Sequence, residues 1–368
     1  MAVASAPGRV NILGNPTDGL EGAYATISAT ICMRAYVRVK AGGSFTCTPM
    51  GEPSLATSIA DPGGGYGGTP RLFNSTVRVL KAFFPDLAER VVEDSPDIFY
   101  RTDIPPEGGL AGSTAFIAAF LEAIRHVYGF DRFKFNEYVM AEVVQRAEEY
   151  AGITCGYADR YVCVMGGLAY MDFRGKLHHK PLKREPLATY ERLDGYVNYI
   201  PLLVCYLGVR RSSGDIHRVF RGVYMREWER FRAGGSRSKL LEFMKRVGWT
   251  AMMGKYALLE HDWEEFGRLM SLNHKLVDEA MRMAGFQDGA GYYNNAVIEY
   301  ALSRGALGAK LSGAGGGGSV LVLAPPDKED YMERELADYM GKLGLRNSRV
   351  FKLEISRDGV RLEGEFAE

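Results

Sequence analysis

The sequence predicts an α+β protein of two domains, and three observations point that way. The chain has 368 residues, against domains of roughly 100–200 residues each. Strand-like and helix-like segments follow in a mixed order rather than in the regular alternation that builds a doubly wound sheet. The pattern also changes after Pro186, from strand-rich to long helical periods, which divides the chain into units 1–185 and 186–368.

Val10-Asn11-Ile12-Leu13-Gly14 is a short apolar strand that breaks into the polar turn Asn15-Pro16-Thr17-Asp18-Gly19, and β-branched residues resume over 24–39. Glycine, proline and serine make 41–70 an irregular loop region. Val77, Leu80, Lys81 and Phe84 keep 3/4 spacing, which predicts a helix over 75–84 that Pro85 stops. A strand over 98–102 leads into Pro105-Pro106-Glu107-Gly108-Gly109-Leu110-Ala111-Gly112-Ser113-Thr114 and an apolar helix over 115–128. A helix over 135–150 and a strand-rich stretch from 168 to 183 complete the first unit. The second unit opens with a buried strand in 198–207, followed by helices over 216–232, 238–259, 263–283 and 293–303. Strands at 309–312 and 319–323 then flank a glycine run. A helix over 328–343 and a hairpin over 349–366, turning at Arg357-Asp358-Gly359, end the chain.

With 46% hydrophobic and 24% charged residues the chain is globular, not disordered. Forty-five basic residues balance forty-five acidic ones, which removes the bulk attraction that nucleic-acid and membrane-surface partners exploit; neither is expected, and an anionic ligand must be held locally. The five cysteines form no C-x-x-C pair and are odd in number, against a disulfide framework or a structural zinc site. Charged Arg9 stands where a signal peptide needs an apolar run, and the longest apolar stretch, 200–209, is too short to span a bilayer. A cytoplasmic protein is expected. No interface signal rises above ordinary surface apolarity, so the oligomeric state stays open.

The 44 glycines are in excess and clustered, seven of them within 305–318. The loop 105–114 places backbone N–H groups at a helix N-terminus, where glycines admit a phosphate and the Ser113 and Thr114 hydroxyls stand near a magnesium ion. Alone it reads as readily as a capped helix after a tight turn, and the chain carries no Walker sequence. Gly63-x-Gly65-x-x-Gly68 and Gly313-x-Gly315-x-x-Gly318 lack the strand-glycine-helix context of a dinucleotide fold. The first reads as a surface loop, the second as a tight loop pressed on a ligand or on another loop. Glu148 and Asp159-Arg160 read alone as a solvated helix face and a cap. Beside a phosphate cradle, Asp159 can orient or deprotonate a hydroxyl and Glu148 can complete a magnesium shell. The stretch 210–246 carries eleven Lys or Arg against four acids, a solvated helix face with Phe220, Tyr224, Trp228 and Phe231 turned inward, able to help hold an anion. His126, His178, His179, His217, His261 and His274 lack metal spacing and read as structural or exposed.

Three segments taken together say more. Ala6-Pro7-Gly8-Arg9-Val10-Asn11-Ile12-Leu13-Gly14, the loop 105–115, and Lys310-Leu311-Ser312-Gly313-Ala314-Gly315-Gly316-Gly317-Gly318 resemble, in order and spacing, the three motifs of the GHMP kinase superfamily. That resemblance implies a ribosomal-S5-like N-terminal domain, a ferredoxin-like C-terminal domain, and ATP with Mg2+ bound between them. Gly156-Tyr157-Ala158-Asp159 is similar to the G-x-x-D segment of galactokinases, the family's sugar 1-kinases. Kinases of the glucuronokinase type look closest, through Leu13-Gly14-Asn15-Pro16-Thr17-Asp18, Gly109-Leu110-Ala111-Gly112-Ser113, Asp159-Arg160, Gly166-Gly167-Leu168, Met171-Asp172-Phe173 and Ser212-Ser213-Gly214-Asp215-Ile216-His217. Galactokinases carry a Glu-His pair where this chain has Asn15-Pro16.

By position, the resemblance implies that Asp159 faces the anomeric hydroxyl of a sugar acceptor with Arg9 beside it. Ser113, or its neighbour Thr114, and Glu148 bind magnesium. Gly108, Gly109 and Gly112 cradle the nucleotide phosphates, and Gly313, Gly315 and Gly316 form the third motif. Asp18 and Asn15 meet the sugar, while Arg160, with Arg218, meets a uronate carboxylate. The expected activity is phosphorylation of the anomeric hydroxyl of a sugar, glucuronate first. Its rivals are a kinase for galactose, fucose or a heptose, and a non-catalytic sugar and ATP sensor on the same fold.

Overall fold

The computed structural model describes residues 1–22, 24–61, 64–154, 156–176, 187–209 and 213–363. The elements run β1 (Ala2–Leu13), β2 (Ala25–Lys40), β3 (Thr46–Pro49), β4 (Thr57–Ser58), α1 (Gly68–Phe83), α2 (Pro85–Asp94), β5 (Asp97–Thr102), α3 (Gly112–Val127), α4 (Glu137–Tyr150), α5 (Ala158–Met165), β6 (Leu168–Asp172) and β7 (Thr189–Arg192). They continue with β8 (Leu202–Tyr206), α6 (Ser213–Arg232), α7 (Lys239–Leu259), α8 (Trp263–Met283), α9 (Tyr292–Ser303), β9 (Gly308–Ser312), β10 (Ser319–Leu323), α10 (Glu329–Lys342), β11 (Arg349–Lys352) and β12 (Arg361–Leu362). This is the α+β class that the mixed order predicts.

The first sheet has the order β12-β1-β2-β5-β3-β4, with β6 on β2 and β7 on β6. β2 is long enough to serve β6 with its first residues and β5 with its last, while β1 pairs along its other edge. Ala35, Val37 and Val39 alternate inward, as a half-buried strand requires. α3 is buried on every side from Thr114 to Arg125 and packs on β1 and β2. A helix apolar all round belongs in a core, and this one is its axis. The second sheet, β11-β8-β10-β9, is antiparallel throughout. The chain changes sheet between β7 and β8 and returns to the first sheet at β12.

Four local expectations need correction. Pro85 does not end helical structure but occupies the first turn of α2, where its missing N–H costs nothing. The glycine-rich region 41–70 still contributes β3 and β4 to the sheet. The residues after 349 form no hairpin, because β11 pairs with β8 and β12 with β1. Residues 158–165 form the buried helix α5, which the sequence does not announce. Gly63, Cys155, His178, His179, the strand end at Lys183, the junction at 186, Arg210 and Arg211, Ser212 and the end of the expected hairpin lie outside the described residues. Among the described residues no helix is long and apolar enough to cross a membrane, and Cys32, Cys47, Cys163 and Cys205 are free thiols.

Candidate active site

The site is assembled on β1. Residues i and i+2 of a strand share a face, so Arg9 and Asn11 point the same way. The register with β2 shifts between Pro7 and Arg9 and again between Asn11 and Leu13; such irregularities re-aim side chains from the regular pleat. Both residues reach Asp159, at the start of α5. Arg9 Nε donates to Asp159 Oδ1 at 2.6 Å and its Nη2 donates to Oδ2, a two-pronged pair. Asn11 Nδ2 donates to the same Oδ1 at 3.1 Å, its amide oriented by a 2.7 Å bond from Ser28 Oγ. Arg9 Nη1 donates to the Gly109 carbonyl at 2.5 Å, which ties the pair to the glycine loop.

Burial alone would raise the Asp159 carboxyl, but the Arg9 and then the Arg160 charges, with hydrogen bonds from Arg9 and Asn11, hold it at about 2. Asp18 behaves in the opposite way. Its Oδ2 accepts from the Ala158 N–H at 2.9 Å, and burial, then the Asp159 charge, raises it to about 6. A carboxyl whose pKa is higher folded than unfolded stabilises most below the unfolded value and loses that contribution as pH rises through the folded one. Asp18→Asn should therefore leave stability nearly unchanged below pH ~4 and raise it by roughly 2–3 kcal/mol above pH ~6. Thermal melts from acid to mildly alkaline pH check this; a gain independent of pH would contradict it.

The loop 105–111 delivers the chain into α3 with Ala111 at a φ of 64° and no side chain capping the helix. Gly112, Ser113 and Thr114 stand at the wall of a cleft of about 810 Å³, with Gly108, Gly109, Glu148 and Asp159, and with Asp215, His217, Gly313 and Ala314 opposite. Ser113 Oγ donates to Glu148 Oε1 at 2.6 Å, and Thr114 Oγ1 lies 3.1 Å from the same oxygen. Among the described residues no cluster of three or more His, Cys, Asp or Glu could hold a metal unaided.

The third glycine motif buttresses this loop. Gly109 has a φ of +66°, and a Cβ there would come within 3.1 Å of the Ser312 carbonyl; Gly313, at +85°, faces Gly109 Cα at 3.4 Å in the same way. Ser319 Oγ closes the contact with a 2.7 Å bond to the Gly108 carbonyl. Gly315 and Gly316 lie against the turn before α9, where Gly316 N donates to the Ala290 carbonyl at 2.6 Å.

Behind the cleft is a small hollow of about 20 Å³, walled by Arg9, Asn11, Asn15, Pro16, Asp18, Gly156, Asp159, His217 and Gly313. Asn15 Nδ2 is 3.4 Å from the Gly313 carbonyl. The Asn15 carbonyl oxygen Oδ1 accepts at 2.9 Å from Lys310 Nζ, which also donates to the Asn11 carbonyl at 3.0 Å and to that of Leu311 at 2.6 Å. Burial, then the Arg9 charge, lowers Lys310 to about 7. The sequence reading missed Lys310 as a site residue, although a charged side chain inside the wholly buried strand β9 is itself a signal. It also set His217 aside, and this residue lines both the cleft and the hollow.

Two expected sugar contacts are corrected. Arg160 is fully buried and lines neither space: its Nη2 pairs with Glu148 Oε2, and its Nη1 bonds the Gly156 carbonyl and stands 3.7 Å from Asp159 Oδ2. Neighbouring helix residues point to different faces, so with Asp159 turned to the cleft, Arg160 is turned beneath the loop. Arg218 is exposed on α6 and pairs with Asp215 at 2.5 Å. The structure brings the other expected residues together, Gly315 and Gly316 from behind.

The GHMP kinases N terminal domain profile matches residues 71–167, and the GHMP kinases C terminal profile matches 255–342. Glucuronokinase 1 of Arabidopsis thaliana is 29% identical over 338 residues, covering 89% of this chain and 86% of the relative. A galactokinase of Thermococcus kodakarensis is 28% identical over 274 residues, covering 70% and 73%. The crystal structure of Lactococcus lactis galactokinase complexed with galactose superposes with a TM-score of 0.74 at 15% identity, covering 98% of this chain and 94% of that one. The two profiles together span half of the sequence, one in each part of the two-sheet fold, and on that ground the chain belongs to the GHMP kinases, a family of phosphotransferases.

Proposed function

We propose that this protein is an Mg-ATP-dependent sugar 1-kinase that transfers the γ-phosphoryl group to the anomeric hydroxyl of a uronic acid, glucuronate before others, giving the sugar 1-phosphate and ADP. The observation that carries the reading is the place of Arg9 and Asp159, which wall both the glycine-loop cleft and the hollow behind it. A phosphoryl donor in one and a hydroxyl in the other would meet at that pair. The similarity to a glucuronokinase supports the acceptor class.

In this reading ATP lies between units 1–185 and 186–368, with its phosphates on the N–H groups of Gly108, Gly109 and Gly112. A cytoplasmic setting accords with that nucleotide. Magnesium binds through one or two carboxylates plus phosphate oxygens and waters, and Glu148 with the Ser113 and Thr114 hydroxyls fits that donor set at the cleft wall. Bound there, the ion would neutralise charge on the phosphate oxygens. Asp159 accepts the hydrogen bond of the acceptor hydroxyl and aims its oxygen at phosphorus. Arg9 keeps Asp159 ionised and offsets charge on the phosphoryl group in flight. Asp18 and Asn15 hold ring hydroxyls.

ADP release with Mg-ATP should be measured across glucuronate, galacturonate, galactose, fucose, glucose and mevalonate. Strong turnover on one uronate is the expected result. Preference for a neutral sugar would keep the kinase and discard the uronate, and ATP binding without turnover on any acceptor would indicate a sensor.

A further inference from the structure

Helix α7 presents an outer face that the fold does not use. Leu241, Met244, Val247, Ala251 and Leu258 are buried on its inner side, which packs on α8, β1 and β2. On the opposite side Trp249, Met252, Tyr256 and Leu259 are 43%, 49%, 61% and 38% exposed. With 3.6 residues per turn, these four fall within a stripe about 80° wide. Scattered exposed apolar residues need no explanation, but a contiguous stripe marks an interaction surface. None of the four lines the cleft or the hollow. The two ends of the stripe differ in charge: Lys245 and Arg246 are exposed at its N-terminal end and Glu260 at its C-terminal end. These three form no ion pair among the described residues, although their neighbours Glu242 and Lys255 pair with Arg237 and Glu191.

We propose that this face is the two-fold interface of a homodimer, in which α7 packs antiparallel on α7 of a second copy about an axis at Met252. The stripe is complementary to itself in that arrangement. Residues equidistant from a two-fold axis meet across it, so Met252 packs on its own copy, Trp249 lies opposite Tyr256, and Lys245 lies opposite Glu260. Each unlike pair forms twice. The apolar stem of Arg246 covers Leu259 of the second copy while its charge adds to that of Lys245 beside Glu260. A parallel second copy would instead set like charges together at both ends. A helix of the 21 residues of α7 is about 31 Å long and about 10–12 Å across, so two such faces bury on the order of 1,000 Å² in all, at the low end of specific interfaces. A dimer with a roughly micromolar dissociation constant is the expected result.

The test is sedimentation velocity of the full chain from about 1 to about 300 μM, where the wild type should pass from one chain to two. Met252→Glu sets two carboxylates against each other at the axis and should weaken association by at least about 100-fold. Because the residue is exposed, its melting curve should match the wild type at concentrations where both are monomeric. Lys245→Glu should weaken association as well, and Lys245→Glu combined with Glu260→Lys should restore it. Leu302→Glu, at an exposed residue of α9, should dimerise as the wild type does. A chain monomeric over the whole range would overturn the second copy and leave the stripe to another partner. Dimers that survive both Met252→Glu and Tyr256→Glu, or that Leu302→Glu abolishes as well, would overturn the assignment to α7. A loss in Lys245→Glu that the double exchange does not restore would overturn the antiparallel register. Should Met252→Glu fail to fold, Lys245→Glu and its rescue decide.

Discussion

Asp159→Asn is expected to lower kcat by about 10²- to 10⁴-fold, the range over which a positioned proton acceptor contributes, while Mg-ATP affinity stays within about threefold. The substitution is close to isosteric but removes the charge, and it leaves the buried Arg9 guanidinium without its two-pronged partner. Variant melting must therefore be followed beside the kinetics, at a temperature where the variant is folded. The direction of the Asp159 shift narrows its role. In the proposed reaction a carboxylate lowered to about 2 by Arg9 and Arg160 would act as a weak base, aligning the hydroxyl and taking the proton late, which suits a transfer with little nucleophilic assistance. The pH profile should agree: ionisation of Asp159 produces no acid limb near neutrality, and an acid limb from Asp18, near pH 6, disappears in Asp18→Asn, whereas a limb from Lys310, near 7, persists. An Asp159→Asn enzyme that kept more than about a tenth of the wild-type kcat would remove Asp159 from the reaction.

The sequence shows the glycine-loop side of this site better than the hollow behind it, for a physical reason. Close approach of two backbones leaves marks in the sequence: Gly109 and Gly313 permit a contact between the two glycine loops in which a side chain would crowd the facing backbone. Those glycines, with Ser113 and Glu148 one helix apart, were legible before the fold was known. The long helices were legible too, since 3.6-residue periodicity survives over five turns of α7 or α8. Helix α5 was not, because its eight residues make little more than two turns, too short a stretch for a period to stand out. The resemblance and its charge make Arg160 beside Asp159 read as a second site residue, whereas the helix turns consecutive side chains to different faces. The same geometry separates Arg218 from His217 and Arg221 on α6. The basic stretch was visible, but which of its cations face inward depends on the packing of Ile216, Phe220 and Tyr224 against a distant part of the chain.

Arg160→Gln should accordingly act on stability and not on sugar choice. Arg160 is the buried cation shared by Glu148, Asp159 and the Gly156 carbonyl. Breaking such a pair from one side leaves an uncompensated buried charge, a loss of about 3–5 kcal/mol. At roughly 2–4 °C per kcal/mol for a chain somewhat smaller than this one, the melting temperature should fall by about 10 °C. Part of that loss has a pH signature. Asp159, at about 2 in the folded protein, lies below its ordinary value of 3.8, so its contribution is present above pH ~4 and is lost as pH falls toward 2. With Arg160 removed, burial pulls the Asp159 value back up, and that acid-side loss moves to higher pH. A residue that bound the sugar carboxylate would behave differently: the melt would hardly change, and KM would rise for uronates alone. Glutamine at 160 with a wild-type melting curve and a selectively raised uronate KM would return Arg160 to the acceptor. A lowered melt with an unchanged ratio of uronate to neutral-sugar turnover is the outcome that its burial requires.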